Sequence, residues 1–453
     1  MGKVMDGMVD FVLETKYADF PAEVTNYSKK LVLSWLGAAM AGAVQPTAQI
    51  VSRFIKRQAG APEAGVIGHR FRTWATDAAL ANGTMCHASE LEDNCFPIGG
   101  PTMSVGASIL SLAESLKASG KDFLEAFIIG WEIASRVTQC SPGLVERGFL
   151  PPSLLGGAAG AAKLLRLDAK KTAMALSISA SYAHGLLRQT GSGAHLHEAG
   201  ISAYGGLAAA LLAREGLTGV PDIIECPRGL CSAWSGEGGY DLKSLVESLG
   251  NPYRVLDVGI KKYPCCWLEH RPIDGLLDLK KEYNLVPKDI ESIEIHVGPY
   301  FTHLVHYPNP TTVEETRFSI EHSFAAVFLE KELRYNLVAY SEEKLLSPEY
   351  KELRSKLKIK VVVDDRSWAI GAGIDKIIVR LKDGKIFEKE VERPKGTPPF
   401  YLTNDEVQMK FESGAMFSKF LQRDQIEQVC HLVSRIDNLE NIQNLMEIVT
   451  FGS

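Results

Sequence analysis

Three stretches of this chain concentrate residue types that move protons or grip anions. The first is Asn82 to Pro101, NGTMCHASELEDNCFPIGGP, which carries Cys86, His87, Cys95 and the acidic or amide side chains Glu90, Glu92, Asp93 and Asn94. The second, SYAHGLLRQTGSGAHLHEAG, carries His184, Arg188, His195 and His197. The third, KKYPCCWLEH, carries Lys261, Lys262, Tyr263, Cys265, Cys266 and His270. Crowded carboxylates raise one another's pKa and so make an acid. An imidazole titrates near neutral pH and serves as a base. A guanidinium offers a planar fork that fits a carboxylate. The combined chemistry is proton transfer on an anionic substrate.

Each feature also has a purely structural explanation. Glu90, Glu92 and Asp93 read equally as a solvated helix end, His87 as a packing and capping residue, and Lys261 and Lys262 as surface charge. His184 and Arg188 are four apart and share a face if both lie on a helix. Gly191 and Gly193, ahead of His195 and His197, would let the backbone approach a ligand. Cys265 and Cys266 are adjacent, so their thiols point apart. They do not form an opposed pair, which leaves Cys266 facing His195 as the chemical option and inert packing as the other. Cys86, His87 and Cys95 lack a second ligand pair at zinc spacing, and no CxxC occurs, so no metal is expected. Cys226 and Cys231 have no evident partner, and Trp74, Trp131, Trp234 and Trp267 read as core or junction residues.

The elements that must position these residues form two textures. At 453 residues two domains are expected. The 45% hydrophobic and 23% charged content is that of a globular protein. A net charge of −6 without a basic tract excludes a nucleic-acid footprint. The N-terminus has no long apolar region, and no run approaches the roughly 18 apolar residues of a span, so a soluble, cytoplasmic protein is expected. Helical spacing runs through Val24–Ala41, Ala75–His87, Met103–Ser119, Phe123–Val137, Ser153–Leu165, Ala169–Leu187 and Ala199–Glu215. The Gly- and Ala-rich helices suit close packing in a large bundle. From about 270 strands alternate with helices: Ile290–Val297, Lys358–Val363, Lys376–Leu381 and Ile386–Val391, with Asp383-Gly384 as a hairpin turn. After Pro394–Pro399 the chain is helical again. The expected organisation is a helical domain at 1–266, an α+β domain at 267–395, and C-terminal helices at 396–453 that return to the first domain.

Several motifs place this pattern in a family. NGTMCHASELEDN resembles the NGTxxHALDFDD signature of the MmgE/PrpD family, which includes 2-methylcitrate dehydratases, cis-aconitate decarboxylases and an iminodisuccinate epimerase. GASILSLAESLKASGKDFLEAFIIGWEIASRV, RGFLPPSLLGGAAGAAKLLRLD, AAALLAREGLTG, KKYPCCWLEHRPIDG and PKGTPPFYLTNDEVQMKF are similar to further family motifs, in the same order, from about residue 30 to 415. The resemblance implies a mainly α fold: a large all-helical domain, discontinuous in sequence, with a smaller α+β lid domain. It also implies a homodimer, no metal or organic cofactor, and removal of a proton or carboxylate next to an acid group.

The sequence departs from the family at four ionisable positions. Where the lyases have a histidine after the acidic segment stands Gly100; a second histidine is replaced by Leu150, a lysine by His195, and a decarboxylase histidine by Cys266. Asp93, Lys261 or Lys262, and Tyr263 match. The reading is a rebuilt site in which His195 moves the proton, Asp93 orients or delivers it, and Arg188 with Lys261 or Lys262 holds carboxylates. His87, His184, His197 and Tyr263 would line the substrate. A dehydratase-like lyase heads the list, an epimerase or isomerase follows because it needs no leaving group, and a non-catalytic dimeric binding protein is the alternative of another class.

Overall fold

A computed structural model of the chain describes residues 2–95, 99–144, 150–363 and 373–452. Pro97 of the first stretch and Arg147 to Phe149 of the RGFLPP motif lie outside the described residues. The fold is mainly α, with a smaller α+β part. The chain divides into two compact units: Met1–Gln189, Gly193–Val258 and Thr403–Ser453 form the first, and Thr190–Ser192 with Gly259–Leu402 form the second. No single helix among the described residues is long and apolar enough to cross a membrane.

The first unit is a bundle whose helices touch through small residues. Ala75–Ala88 and Gly193–Glu215 cross where a Cβ at Gly83 would lie 3.0 Å from the Ala199 carbonyl oxygen, and where one at Gly200 would overlap the Leu80 carbonyl and Thr84 Oγ1. Ala22–Ala43 meets Asn404–Ser418 in the same way, a Cβ at Gly37 falling 2.7 Å from Phe411 Cα. That second crossing explains a fully buried lysine. Lys410 is 1% exposed, and its Nζ donates to Ser34 Oγ at 2.8 Å and to the Glu92 carbonyl at 3.2 Å. The final helices therefore tie down the acidic segment. Asn82, within the first helix of the site, fixes that helix from its other side, accepting from Ile67 N–H and donating to the Gly65 carbonyl, both at 3.0 Å.

The second unit is organised on a four-stranded sheet in the order Leu357–Val361, Ile290–Val297, Asp375–Leu381, Ile386–Val391. The first pair is parallel, with Ile293 opposite Leu357, and the other two are antiparallel. Ile290, Ile293, Ile295 and Val297 are buried along the central strand. Gly384 adopts φ 87°, as the hairpin turn after Asp383 requires.

Two helix boundaries differ from the sequence expectation, and both bear on the site. The helix expected over Ala169–Leu187 is Ala169–Ala180, capped at its start by Asp168. His184 thus lies in the following irregular segment, with Gly185 at φ 93°, and Arg188 sits in a short 3-10 turn, Leu187–Gln189. They do not share a helix face. The next helix begins at Gly193 rather than Ala199, so His195 and His197 belong to its first two turns. The two glycines do not open the backbone to a ligand: Gly191 packs on the Tyr307 ring, and Gly193 is helical, close to Thr47 Oγ1. Trp74 is also corrected, since it is 48% exposed rather than core. Cys231 does have a neighbour: its sulfur is 4.0 Å from that of Cys140.

Candidate active site

The carboxylates after the Ala75–Ala88 helix are not a solvated helix end. Glu90, Glu92 and Asp93 are buried at 2%, 4% and 3% exposure. The helix stops at Ala88, and the Glu90 N–H donates to the His87 carbonyl at 3.0 Å. Glu90 then takes φ 52°, a left-handed conformation costing about 1 kcal/mol or more for a residue with a side chain. That turn sets the Glu90 carboxylate back over the helix end, with Oε1 3.1 Å from His87 Nε2.

The crossing at Gly83 and Gly200 brings a second imidazole to the same place. His87 lies one turn beyond Gly83, and His195 lies in the first turn of the helix that carries Gly200. Their rings meet edge to face, with centroids 4.7 Å apart. His195 Nδ1 lies 3.4 Å from Glu198 Oε2, the i+3 residue of its own helix. His87, Glu90 and His195 each place one nitrogen or oxygen atom within 4.8 Å of the others, a spacing that would also suit a divalent cation. Burial pushes the His195 imidazole below its ordinary value, and the proximity of His87 adds to this, while Glu198 and Glu90 oppose it. A buried imidazole held near neutrality beside a carboxylate has the character of a general base.

Around this pair lie the other histidines. His197 Nδ1 is 3.2 Å from Thr84 Oγ1, and His184 Nε2 is 3.3 Å from Ser202 Oγ. Burial lowers the proton affinity of both, with Glu198 opposing. Ser202 Oγ also reaches the Leu150 carbonyl at 3.5 Å, so His184 stands beside the position where the lyases carry their second histidine. Arg188 is exposed. Asp93 begins a short strand, Asp93–Cys95, which closes on itself through paired Cys95–Gly99 hydrogen bonds. Gly99 and Gly100 are buried. A Cβ at Gly100 would fall 2.7 Å from the Asp93 carbonyl oxygen and 2.9 Å from Met103 Cε.

The second unit positions the remaining candidates. Lys262 Nζ donates to Asp274 Oδ1 at 2.6 Å, and the Tyr263 hydroxyl donates to the same oxygen at 2.7 Å. The Lys395 N–H fills the other oxygen of Asp274 at 2.7 Å. Burial lowers the Lys262 pKa even against Asp274, and burial with Asp274 carries the Tyr263 phenol well above its usual range. The polar ends of Lys262 and Tyr263 are thus committed to a buried triad. Lys261 is buried at 2% exposure. Cys266 is buried ahead of the 3-10 turn Trp267–Glu269, its N–H donating to the Arg317 carbonyl at 2.7 Å. The Cys265 thiol is pushed well up by burial, with Glu269 adding to it. His270 stacks on Trp267 at 4.9 Å and leans on Tyr263 at 5.1 Å.

Sequence reasoning gave no role to Glu198, Thr84, Ser202, Lys410 or Asp274. Glu198 has a signal in its i+3 spacing from His195, which shows only once the helix is known to begin at Gly193. Asp274 is within the quoted KKYPCCWLEHRPIDG motif and Lys410 within PKGTPPFYLTNDEVQMKF, but neither showed its burial. A cleft of about 970 Å³ on the first unit, lined by Lys16, Tyr17, Lys121, Glu125, Lys163 and Arg166 among others, contains none of the candidate residues.

Comparison with known proteins agrees with the motifs. Residues 6–243 match the MmgE/PrpD N-terminal domain, and residues 263–434 match the MmgE/PrpD C-terminal domain. The chain is similar to a cis-aconitate decarboxylase of Homo sapiens, 27% identical over 94% of this chain and 90% of that protein. It is similar to the cis-aconitate decarboxylase-like protein oryM of Aspergillus oryzae, 25% identical over 99% and 98% of the two chains. A cis-aconitate decarboxylase of Aspergillus terreus is 24% identical, over 95% of this chain and 92% of that protein. With both domain matches together spanning most of its length, the chain belongs to the MmgE/PrpD family.

Proposed function

We propose that the chain is a cofactor-independent, dehydratase-like lyase that removes a proton from the carbon next to a carboxylate of a small acid. The observation that carries this reading is the buried His195 imidazole, with Nδ1 on Glu198 and its ring against His87. His195 Nε2 takes the proton, and Asp93 orients the reacting groups or delivers a proton. Arg188 is the cation of the first unit for a substrate carboxylate, and in the second unit the Lys262 ammonium is bonded to Asp274. His184 and His197 present imidazoles to the uncharged part of the substrate. Relatives named for decarboxylating cis-aconitate support a lyase and a small polycarboxylate. Orienting the substrate against base and acid supplies the rate enhancement.

Epimerisation is the second reading, and Gly100 favours it. A side chain there would press on the Asp93 carbonyl, so the histidine found in the lyases has no room without a backbone shift. An epimerase needs no acid for a leaving group and tolerates that loss. The test is incubation of the purified protein with hydroxylated and unsaturated di- and tricarboxylates, followed by NMR. Loss of water to give an unsaturated acid, or its reverse, supports the lyase. Interconversion of stereoisomers without an unsaturated product supports the epimerase. Saturable binding with neither reaction refutes catalysis and leaves the chain a dimeric binding protein.

A further inference from the structure

The His87–Glu90 pair has a geometry that a packing role does not require. His87 is 1% exposed and Glu90 2% exposed, and the glutamate holds a left-handed backbone while its Oε1 sits 3.1 Å from His87 Nε2. Strain retained at a buried polar pair is a sign of function where the surroundings hold it. The surroundings here are specific. Ala75–Ala88 is locked by Asn82 and by the Gly83–Gly200 crossing, and the next segment is held by Lys410 at the Glu92 carbonyl. Two imidazoles in ring contact therefore have carboxylates at different distances: His87 Nε2 lies 3.1 Å from Glu90 Oε1, at ion-pair distance, while His195 Nδ1 has a longer, 3.4 Å contact to Glu198 Oε2. Titratable neighbours with unlike environments divide into acid and base.

We propose that His87, positioned by Glu90, is the acid that works with His195 as base. The proposal rests on His195 as the carbon base described above. His195 Nε2 takes the proton from the carbon next to the carboxylate, and the electron pair of that C–H bond becomes the new C=C bond. The C–O bond on the neighbouring carbon breaks with its electrons, and the departing hydroxide takes the proton of His87 and leaves as water. The cycle ends with His195 protonated and His87 neutral. One proton then returns from His195 to His87, whose facing atoms lie within 4.8 Å, a gap that one bridging water spans. The charged groups that act on His195 are Glu198 on its own helix and His87 and Glu90 on the facing segment.

The experiment separates the two proton steps. Exchange of substrate α-hydrogen with deuterated water reads abstraction by His195, and net water loss reads delivery by His87. His87→Gln is expected to keep exchange within about 3-fold and to lose turnover by on the order of 100-fold, the size of one acid–base group. Glu90→Gln, nearly isosteric, is expected to move the basic limb of the turnover–pH profile to lower pH, because it removes the negative charge 3.1 Å from His87 Nε2. This arm decides the matter if His87→Gln does not fold. Unchanged turnover in both variants overturns the proposal and leaves the His195 reading standing. Turnover abolished by a chelator and restored by zinc also overturns it, showing that His87, Glu90 and His195 hold a cation instead. Absence of exchange in the wild type with every carboxylate removes the His195 reading and the proposal with it.

Discussion

Replacing Gly200 by alanine tests whether the helix crossing positions the two histidines. The added methyl would overlap the Leu80 carbonyl and Thr84 Oγ1. A backbone carbonyl in mid-helix cannot turn aside, so the helices must part by about 1 Å, at a cost of about 1–3 kcal/mol for overpacking. Gly83→Ala is the control at the same crossing. Its methyl meets the Ala199 oxygen at 3.0 Å, which a shift of a few tenths of an ångström relieves. The gain of about 1 kcal/mol in helix propensity offsets that strain. His87 is four residues from Gly83 and His195 five from Gly200, or about 6–8 Å along each axis at 1.5 Å per residue. A displacement at the crossing is therefore carried to the ring contact almost undiminished, and a 1 Å misplacement costs on the order of 100-fold in rate. Urea denaturation and turnover, measured on both variants, check the gradation. Gly200→Ala with wild-type stability and turnover would refute the reasoning, as would equal losses in the two variants.

Other consequences follow from burial. Because burial holds His195 below the ordinary histidine value of 6.5, kcat/KM should reach its acidic half-point below pH 6.5; a half-point above pH 7 would contradict a buried neutral base. His322, buried and donating Nε2–H to the Ala339 carbonyl at 2.8 Å, is lowered from 6.5 to about 4. Its folded pKa lies below the unfolded one, so its contribution is complete above about pH 6.5 and is lost as pH falls toward 4. That interval corresponds to about 3 kcal/mol. His322→Gln should therefore lose less stability than wild type between pH 7 and pH 4 in urea titrations, and an identical loss would show that the group does not titrate. Lys262→Met should cost about 3 kcal/mol by breaking the buried pair with Asp274 and leave KM unchanged. A raised KM at unchanged stability would return Lys262 to the substrate.

The parts of this molecule legible in the sequence are those set by local pattern. Ile290–Val297 and Ile386–Val391 appear with the bounds their alternation gives, and Asp383-Gly384 turns between strands as its type demands. What was not legible depends on packing between distant segments. Nothing in the order Glu90, Glu92, Asp93 distinguishes a solvated end from a buried one; Lys410, more than 300 residues away, makes the difference. The glycines ahead of His195 and His197 suggest a backbone open to a ligand, whereas the helix begins at Gly193 and brings Glu198 beside His195. The ring contact of His87 with His195 needs the close approach at Gly83 and Gly200, which appears in sequence only as small residues. Arg188 and His184 lost their shared face because the chain leaves the helix after Ala180.

The central claim is that His195 moves the proton next to the substrate's carboxylate. Its most direct test is the rate at which α-hydrogen of a di- or tricarboxylate exchanges with deuterated water, compared between wild type and His195→Gln. Wild type should exchange, and the variant, folded by circular dichroism, should exchange on the order of 100-fold more slowly or worse. Exchange in the folded variant at the wild-type rate would contradict the account.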